Sequence, residues 1–209
     1  MFKIYDISMT VQPGMAVWGR APEKQPELRT LSPHPPDKDG VYESELRLGL
    51  HTGTHLDAPL HMLADGDTIE TIGLEELVGS ARVVDLTAVR DGIGRADLEP
   101  LGLVRGDWVL FKTINSETET FEDDFIYLRE DGARYLIEVG VRGIGTDALG
   151  IERSQPEFPT HRLLFRNRIL IVEGLRLKEV AAGTYFMVIA PLKLSGIEAA
   201  PARALLIGS

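Results

Sequence analysis

Two patterns of hydrophobic residues along the chain predict strands. Residues 41–50 alternate, with Tyr42, Leu46, Leu48 and Leu50 on one face and Glu43, Glu45, Arg47 and Gly49 on the other. Alternation of this kind predicts a half-buried strand. Residues 108–111 and 169–172 are instead continuously apolar, which predicts buried strands. Trp108 is therefore expected in the core.

The remaining elements follow from shorter patterns. Further strands are predicted at 2–9, 81–86, 141–146, 185–190 and 202–207, and the last of these is expected to close the sheet. Short helical patterns occur within 69–78, at 96–99, over 131–139 and at 175–180. Because strands and helices mix without strict alternation, we predict a mixed α/β fold in which not all strands are parallel.

A proline-rich segment interrupts this pattern at residues 19–40. It holds five of the twelve prolines, including Pro33, Pro35 and Pro36. Proline removes a backbone donor, so the segment is predicted to be neither a helix nor a central strand. We expect an extended arm that could cover a neighbouring subunit. His34 lies within it and is expected to be exposed.

Composition narrows the class of protein. The chain has 209 residues, 44% of them hydrophobic, which suits one soluble domain over residues 1–209. A net charge of −10 makes nucleic acid an unsuitable partner. No apolar run approaches the roughly 20 residues of a membrane span, so we expect a cytoplasmic protein. Cysteine is absent, so any metal must use nitrogen and oxygen ligands.

Residues 51–61 concentrate the candidate chemistry. They contain His51, His55 and His61, three of the five histidines, together with Asp57. A helix would turn Asp57 away from the histidines, and a straight strand would hold His51 and His55 roughly 13 Å apart. The segment must therefore bend, and Gly53 is the residue that permits it. We predict an irregular metal-binding loop.

Other candidates have weaker support from the residues alone. Glu173 ends an apolar strand, where burial is costly unless the carboxylate is paired or bound to metal; an exposed glutamate at a strand end is the alternative. Asp147 also follows a strand, where its carboxylate could either point into a crevice or cap a turn. Trp18 is either a core anchor or part of a binding site. His61 lies beyond Pro59, too far along the chain to bind the same ion. A histidine just outside the metal ligands is suited to exchange protons.

The motif His51-x-Gly-Thr-His55-x-Asp57-x-Pro-x-His61 resembles the signature of the cyclase-like metal hydrolases, a family that includes bacterial kynurenine formamidases and isatin hydrolases. Segments 4–8, 145–147, 173–175, 191–194 and 201–203 resemble that family too. The resemblance implies a swivelling β/β/α domain and a homo-oligomer, either a dimer or a tetramer. It also implies that His161 and Glu173 hold a second ion, with Asp57 and Glu173 shared, and that Trp18 lines the substrate pocket.

The function that this resemblance implies is metal-assisted hydrolysis of an amide, most directly an aryl formamide such as N-formylkynurenine. His51, His55 and Asp57 would hold the first ion, and His61 would shuttle the proton. Zinc is expected, as one or two ions, with manganese as the other candidate. Gly19 and Arg20 follow Trp18 where formamidase-like proteins have Pro-Gly-Asp, which leaves a cyclic amide or ester of the isatin type as an alternative substrate. A protein that binds a metal and a small ligand without turnover is the alternative from another class.

Overall fold

The computed structural model describes residues 3–35 and 38–208. Its strands are β1 (Lys3–Asp6), β2 (Glu27–Ser32), β3 (Glu43–Arg47), β4 (His55–Asp57), β5 (Val78–Asp85), β6 (Gly92–Ile93), β7 (Trp108–Lys112), β8 (Tyr127–Leu128), β9 (Gly143–Thr146), β10 (Leu170–Glu173), β11 (Gly183–Pro191) and β12 (Ala199–Gly208). Its α-helices are α1 (Leu74–Leu77), α2 (Arg95–Leu98), α3 (Glu130–Val139) and α4 (Pro159–Arg166). None of the helices in these residues has the length and hydropathy of a bilayer span.

The main sheet closes on itself. Its order is β1-β12-β11-β5-β7-β9-β10-β4, and β4 pairs again with β12. The run β5-β7-β9-β10 is parallel, whereas β4, β11 and β12 pair antiparallel with their neighbours. The predictions of a mixed α/β fold and of a last strand that closes the sheet are both confirmed.

The continuous apolar strands are buried on both faces. Along β7, Trp108 and Leu110 join a cluster that gathers side chains from six strands and fills the interior of the closed sheet. Val109 and Phe111 join a second cluster that includes side chains of α2, α3 and α4 on the outside. A strand covered on both sides loses its alternation. Trp108 is 2% exposed, which confirms the prediction that it lies in the core.

Two glycines of β9 make room for that interior. A Cβ at Gly143 would lie 2.5 Å from the Trp108 ring. A Cβ at Gly145 would lie 2.6 Å from side-chain carbons of Leu110 and Leu175. Both distances are below any normal contact, so β9 has to be small where larger side chains from its neighbours fill the space.

The strand predicted as half-buried is exposed. All five residues of β3 are solvent-accessible, and the strand pairs only with β2 to form an antiparallel hairpin outside the main sheet. The alternation is nevertheless real. Leu28 of β2 lies opposite Leu46 of β3, and their neighbours Arg29 and Glu45 lie opposite each other on the other face.

Two further expectations need correction. Residues 175–180 form no helix, because Leu175 pairs with Ser8 in an isolated bridge and the chain then turns at Lys178 and Glu179. The segment 19–40 is not simply extended: it contains two 3-10 turns and strand β2. Part of its expected arm, Pro36 and Asp37, falls outside the described residues.

Candidate metal centre

The bend predicted at Gly53 is present and fixes the first histidine of β4. Gly53 has φ +76°, in the left-handed region. Its carbonyl accepts a hydrogen bond from Nδ1 of His55 at 2.8 Å, so Nε2 is the ring nitrogen that faces Asp57 and Glu173. Gly174 packs against this turn, because a Cβ there would lie 2.5 Å from the Gly53 oxygen. The Thr54 hydroxyl donates to the Gly174 carbonyl at 2.6 Å.

The next residues are more regular than expected. Residues 55–57 form strand β4 inside the main sheet, held between β10 and β12; the prediction of an irregular loop is therefore wrong for these three. Leu56 points into the interior cluster, so the pleat turns His55 and Asp57 to the outer face. Pairing places His55 opposite Glu173, and His55 Nε2 lies 3.5 Å from Glu173 Oε2.

Four side chains converge on Asp57. Its Oδ1 lies 3.0 Å from His51 Nδ1 and 3.3 Å from His55 Nε2. Two groups of three side chains have ligand atoms within 4.8 Å of one another. One group is His51, Asp57 and His61, and the other is His55, Asp57 and Glu173. Asp57 therefore belongs to two overlapping groups, each able to contact one ion.

His61 lies closer to the cluster than its place beyond Pro59 indicated. The 3-10 turn Pro59–His61 brings its ring centroid to 4.2 Å from that of His51 and 5.6 Å from that of His161. Burial lowers the pKa of His61, so the neutral imidazole predominates more than in water. A neutral ring at this position can either accept a proton or donate a lone pair to a metal.

His161 approaches from helix α4, which the sequence patterns did not predict. Its Nε2 lies 3.5 Å from Glu173 Oε1. Its Nδ1 lies 2.7 Å from Oε1 of Glu152, a buried carboxylate that also accepts from the backbone N–H of Thr160 at 2.9 Å. Glu152 was missed from the sequence because it precedes the Pro156 and Pro159 turns, and nothing in its spacing relates it to His161.

A backbone donor holds one oxygen of the Glu173 carboxylate. Its Oε1 accepts a hydrogen bond from the Ile151 N–H at 2.6 Å, while Oε2 is the oxygen near His55. The carboxylate is buried at the end of β10, which is the costly position recognised in the sequence. Three polar groups face the carboxylate and offset the cost of burying it: the Ile151 N–H, the His55 ring and the His161 ring.

The described residues leave several buried polar atoms without partners. Both carboxylate oxygens of Asp57 and the Nε2 of His51 lack a well-aligned hydrogen bond, although nitrogens of His51 and His55 lie 3.0 and 3.3 Å from Asp57 Oδ1. A buried carboxylate without hydrogen bonds is unfavourable. Burial opposes protonation of His55, yet Asp57 and Glu173 raise its pKa to about 10. The cluster thus attracts positive charge, and its nitrogen and oxygen donors fit a divalent cation.

A cavity of about 340 Å³ opens onto these side chains. His51, His61, His161 and Glu173 line it, and Trp18, Leu149 and Phe158 supply apolar walls. A larger cleft of about 460 Å³ lies beside α4, but none of the residues around Asp57 that could hold a metal lines it. We assign the site to the smaller cavity because the donor atoms converge there.

Asp147 lies outside this cluster. Its two oxygens accept from the Thr113 N–H and hydroxyl and from the Ser116 hydroxyl, each at 2.7 Å, and from the Asn115 amide at 3.3 Å. Burial raises the pKa of Asp147, and these donors oppose that rise. The carboxylate joins the ends of β7 and β9, which is a structural position and not one facing the cavity.

The closed sheet presents histidines and carboxylates to a mainly apolar cavity, an arrangement that suits a metal-dependent hydrolase, and comparison with known proteins gives this class. The Cyclase family model matches residues 5–153. The kynurenine formamidase of Salinibacter ruber is 35% identical over 206 residues, covering 97% of this chain and 96% of that protein. That of Bacillus cereus is 32% identical and covers 96% of this chain and 95% of its own. The chain belongs to the cyclase family.

Solved structures give the same result. A potential metal-dependent hydrolase with cyclase activity is 49% identical, with a TM-score of 0.94 over 100% of this chain and 99% of that one. A predicted metal-dependent hydrolase from Bacillus stearothermophilus is 50% identical, with a TM-score of 0.90 over 99% and 98%. Isatin hydrolase A from Labrenzia aggregata, at 24% identity, shares the fold with a TM-score of 0.86 over 99% and 93%.

Proposed function

We propose that this protein hydrolyses aryl formamides, such as N-formylkynurenine, with the help of a divalent metal. The observation that carries the proposal is the convergence of His51, Asp57 and His61 donor atoms within 4.8 Å beside a cavity that Trp18 lines. The relatives named kynurenine formamidase, which match nearly the full chain, support this substrate class.

The proposed ligands form two overlapping sets. His51, His55 and Asp57 would hold the first ion with Glu173, and His161 would join Asp57 and Glu173 around a second. His61, whose donor atom lies within 4.8 Å of those of His51 and Asp57, is assigned instead to proton transfer. Zinc suits imidazole and carboxylate ligands best, and manganese is the alternative. The orphaned oxygens of Asp57 support its role as the shared ligand.

Such a metal would supply a water molecule of lowered pKa and would polarise the carbonyl group of the substrate. The protein's own residues do the rest. Oxygen of the attacking water bonds to the formyl carbon, the carbon–nitrogen bond breaks, and formate and an aryl amine leave. The departing nitrogen needs a proton, and His61 is placed to take one from water and return it to nitrogen. Its lowered pKa keeps the ring ready to accept.

The apolar walls orient the substrate. The Trp18 ring contacts the edges of Phe121 and Phe125, with centroid distances of 5.4 and 5.5 Å, so it is a fixed surface. Phe158 is 48% exposed beside the same cavity. An aryl group that covers both rings gains from apolar burial and from ring–ring contact.

Formate release from purified, metal-loaded protein tests this function. We expect turnover of N-formylkynurenine, and its absence in a chelated sample. Faster turnover of isatin would transfer the assignment to cyclic amides. Tight binding of both compounds without turnover of either would show a binding protein and contradict the proposal.

We further propose that the chain self-associates through the hairpin of β2 and β3. Leu28 and Leu46, 52% and 51% exposed, share one face with Tyr42, which is 54% exposed. The opposite face carries the ion pairs Arg29–Glu45 and Arg47–Glu27. A two-stranded hairpin with one uncovered apolar face is marginal alone, and a second copy would cover it.

A further inference from the structure

Gly150 lies against the Cζ3 edge of the indole ring of Trp18. A Cβ built on Gly150 would be 2.4 Å from Cζ3 of that ring, 3.1 Å from Cη2 and 3.2 Å from Cε3. The first distance is shorter than any real contact between such atoms. Both residues line the cavity of the candidate metal centre. The six-membered ring of Trp18 therefore occupies the space that a side chain at position 150 would need.

Phe121 and Phe125 pack edge-on against the indole, with ring centroids 5.4 and 5.5 Å from it, and both are buried. Tight packing of this kind does not absorb an added methyl group without a shift. The ring would have to move into the cavity or separate from the two phenylalanines.

Backbone conformation does not require this glycine. Gly150 is outside the left-handed region that other glycines here adopt, such as Gly53 and Gly174. Its φ is negative, so alanine meets no penalty there of the kind found in the left-handed region. The absence of a side chain is thus explained by the approach of Trp18 and not by the turn.

We propose that Gly150 is a specificity-determining residue, which rests on the proposed function: by letting Trp18 lie against the backbone, it keeps the cavity wide enough for a planar aryl group. The predicted consequence is discrimination by substrate shape. If the indole moves, hydrolysis of a substrate without an aromatic ring should change little. An aryl formamide would lose the surface on which its ring packs.

The test compares Gly150→Ala with the native protein on formanilide and on N-methylformamide. We expect kcat/KM for formanilide to fall about tenfold, mainly through KM, relative to the change for N-methylformamide. Metal content should stay the same, because the substitution adds a methyl group and removes no donor. In the background of Trp18→Ala, the same substitution should cost nothing further, since two residues that act through one contact are not additive.

Tryptophan fluorescence gives a second readout that does not depend on turnover. The chain has two tryptophans, so subtracting the emission of Trp18→Phe isolates the signal of Trp18. We expect Gly150→Ala to shift that emission and to weaken formanilide binding, measured by quenching, about tenfold. Gly49→Ala is the matched control for emission: it adds a methyl group to the same cavity, where only the Thr52 hydroxyl lies nearby, at 3.2 Å.

The outcomes separate the two proposals. If Gly150→Ala binds formanilide more weakly but no sample hydrolyses it, the role of Gly150 stands and the proposed hydrolase function is rejected. Unchanged emission together with unchanged formanilide binding would overturn the role of Gly150. Loss of metal in Gly150→Ala would also overturn it, because it would show that the methyl group disturbs Ile151 and Glu173 and not the aromatic wall.

Discussion

Glu152 accepts a hydrogen bond from Nδ1 of His161 at 2.7 Å, and the opposite nitrogen of the same ring faces Glu173 at 3.5 Å. Burial opposes ionisation of Glu152, yet the His161 imidazole and the N–H groups of Thr160 and His161 hold its pKa below the usual range. An ionised carboxylate can only accept, so Nδ1 carries a proton and Nε2 is the nitrogen that faces the cluster and would bind an ion there.

Replacing Glu152 with glutamine should weaken metal binding. The amide has the same shape but lacks the charge that fixes the tautomer of His161, so we expect metal affinity to fall about 10- to 100-fold. Titration with zinc, followed by elemental analysis, measures it. Glu157→Gln on the same segment is the control, because that side chain is exposed and should change nothing. Equal affinities for the two variants would contradict the role of Glu152.

His61→Ala separates proton transfer from metal binding. If His61 shuttles the proton, kcat should fall about 10²- to 10⁴-fold while metal content stays close to that of the native protein. Activity and bound metal are measured on the same samples, with the exposed His34→Ala as control. Because His61 also lies within ligand distance of Asp57, a parallel loss of metal and activity would make it a ligand.

Stoichiometry distinguishes one ion from two. If Asp57 is shared, Asp57→Ala should lose all bound metal, whereas His161→Ala should lose only the second equivalent. Elemental analysis on protein purified without chelator gives both numbers. Complete loss in both variants would indicate a single ion held by the whole cluster.

Gly53→Ala tests whether the left-handed turn builds the site. Alanine at φ +76° should cost about 1–2 kcal/mol in the free energy of unfolding, measured by urea denaturation. Gly14 has φ +82° and open space around its Cα, so Gly14→Ala has a similar backbone cost. Only Gly53→Ala should also lose metal, because a strained turn would displace the carbonyl of residue 53, and that carbonyl orients the His55 ring. Equal metal contents would show that the turn is not needed for binding.

The exposed hairpin can be tested by changing one face at a time. The double variant Leu28→Ser and Leu46→Ser should lower the mass of the particle in solution, measured by light scattering, because the apolar face no longer drives association. Arg29→Ser with Arg47→Ser changes the opposite face and should leave the mass unchanged. A native protein that is already monomeric would contradict self-association.

Sequence patterns located the strands best where both faces are covered. The continuously apolar runs 108–111 and 169–172 coincide with β7 and β10, whose residues are almost all buried. The hairpin was misjudged because alternation reports two unlike faces, and it does not report whether a partner covers the apolar one. Helix α4 was missed because Pro159 is its first residue and Pro156 lies just before it, a spacing that resembles a loop.

Within the candidate site, neighbours in sequence were easier to find than neighbours in space. Clustering along the chain was enough to select His51, His55, Asp57 and His61 as candidates. Glu173 could be suspected because it ends a buried strand. Glu152 gave no such signal, since it meets His161 only after α4 has formed. Asp147, which either a turn or a crevice would explain, proved to be a junction between two strands.

The position of β4 links assembly of the site to completion of the fold. His55 pairs with Glu173 and Pro201, partners more than 110 residues further along the chain. Contacts this distant form slowly, because a long loop must close before they stabilise anything. During synthesis, β12 is made after β1 to β11. A growing chain therefore cannot fully assemble the surroundings of Asp57 until β12 has left the ribosome, so metal capture would follow the pairing of β4 with β12.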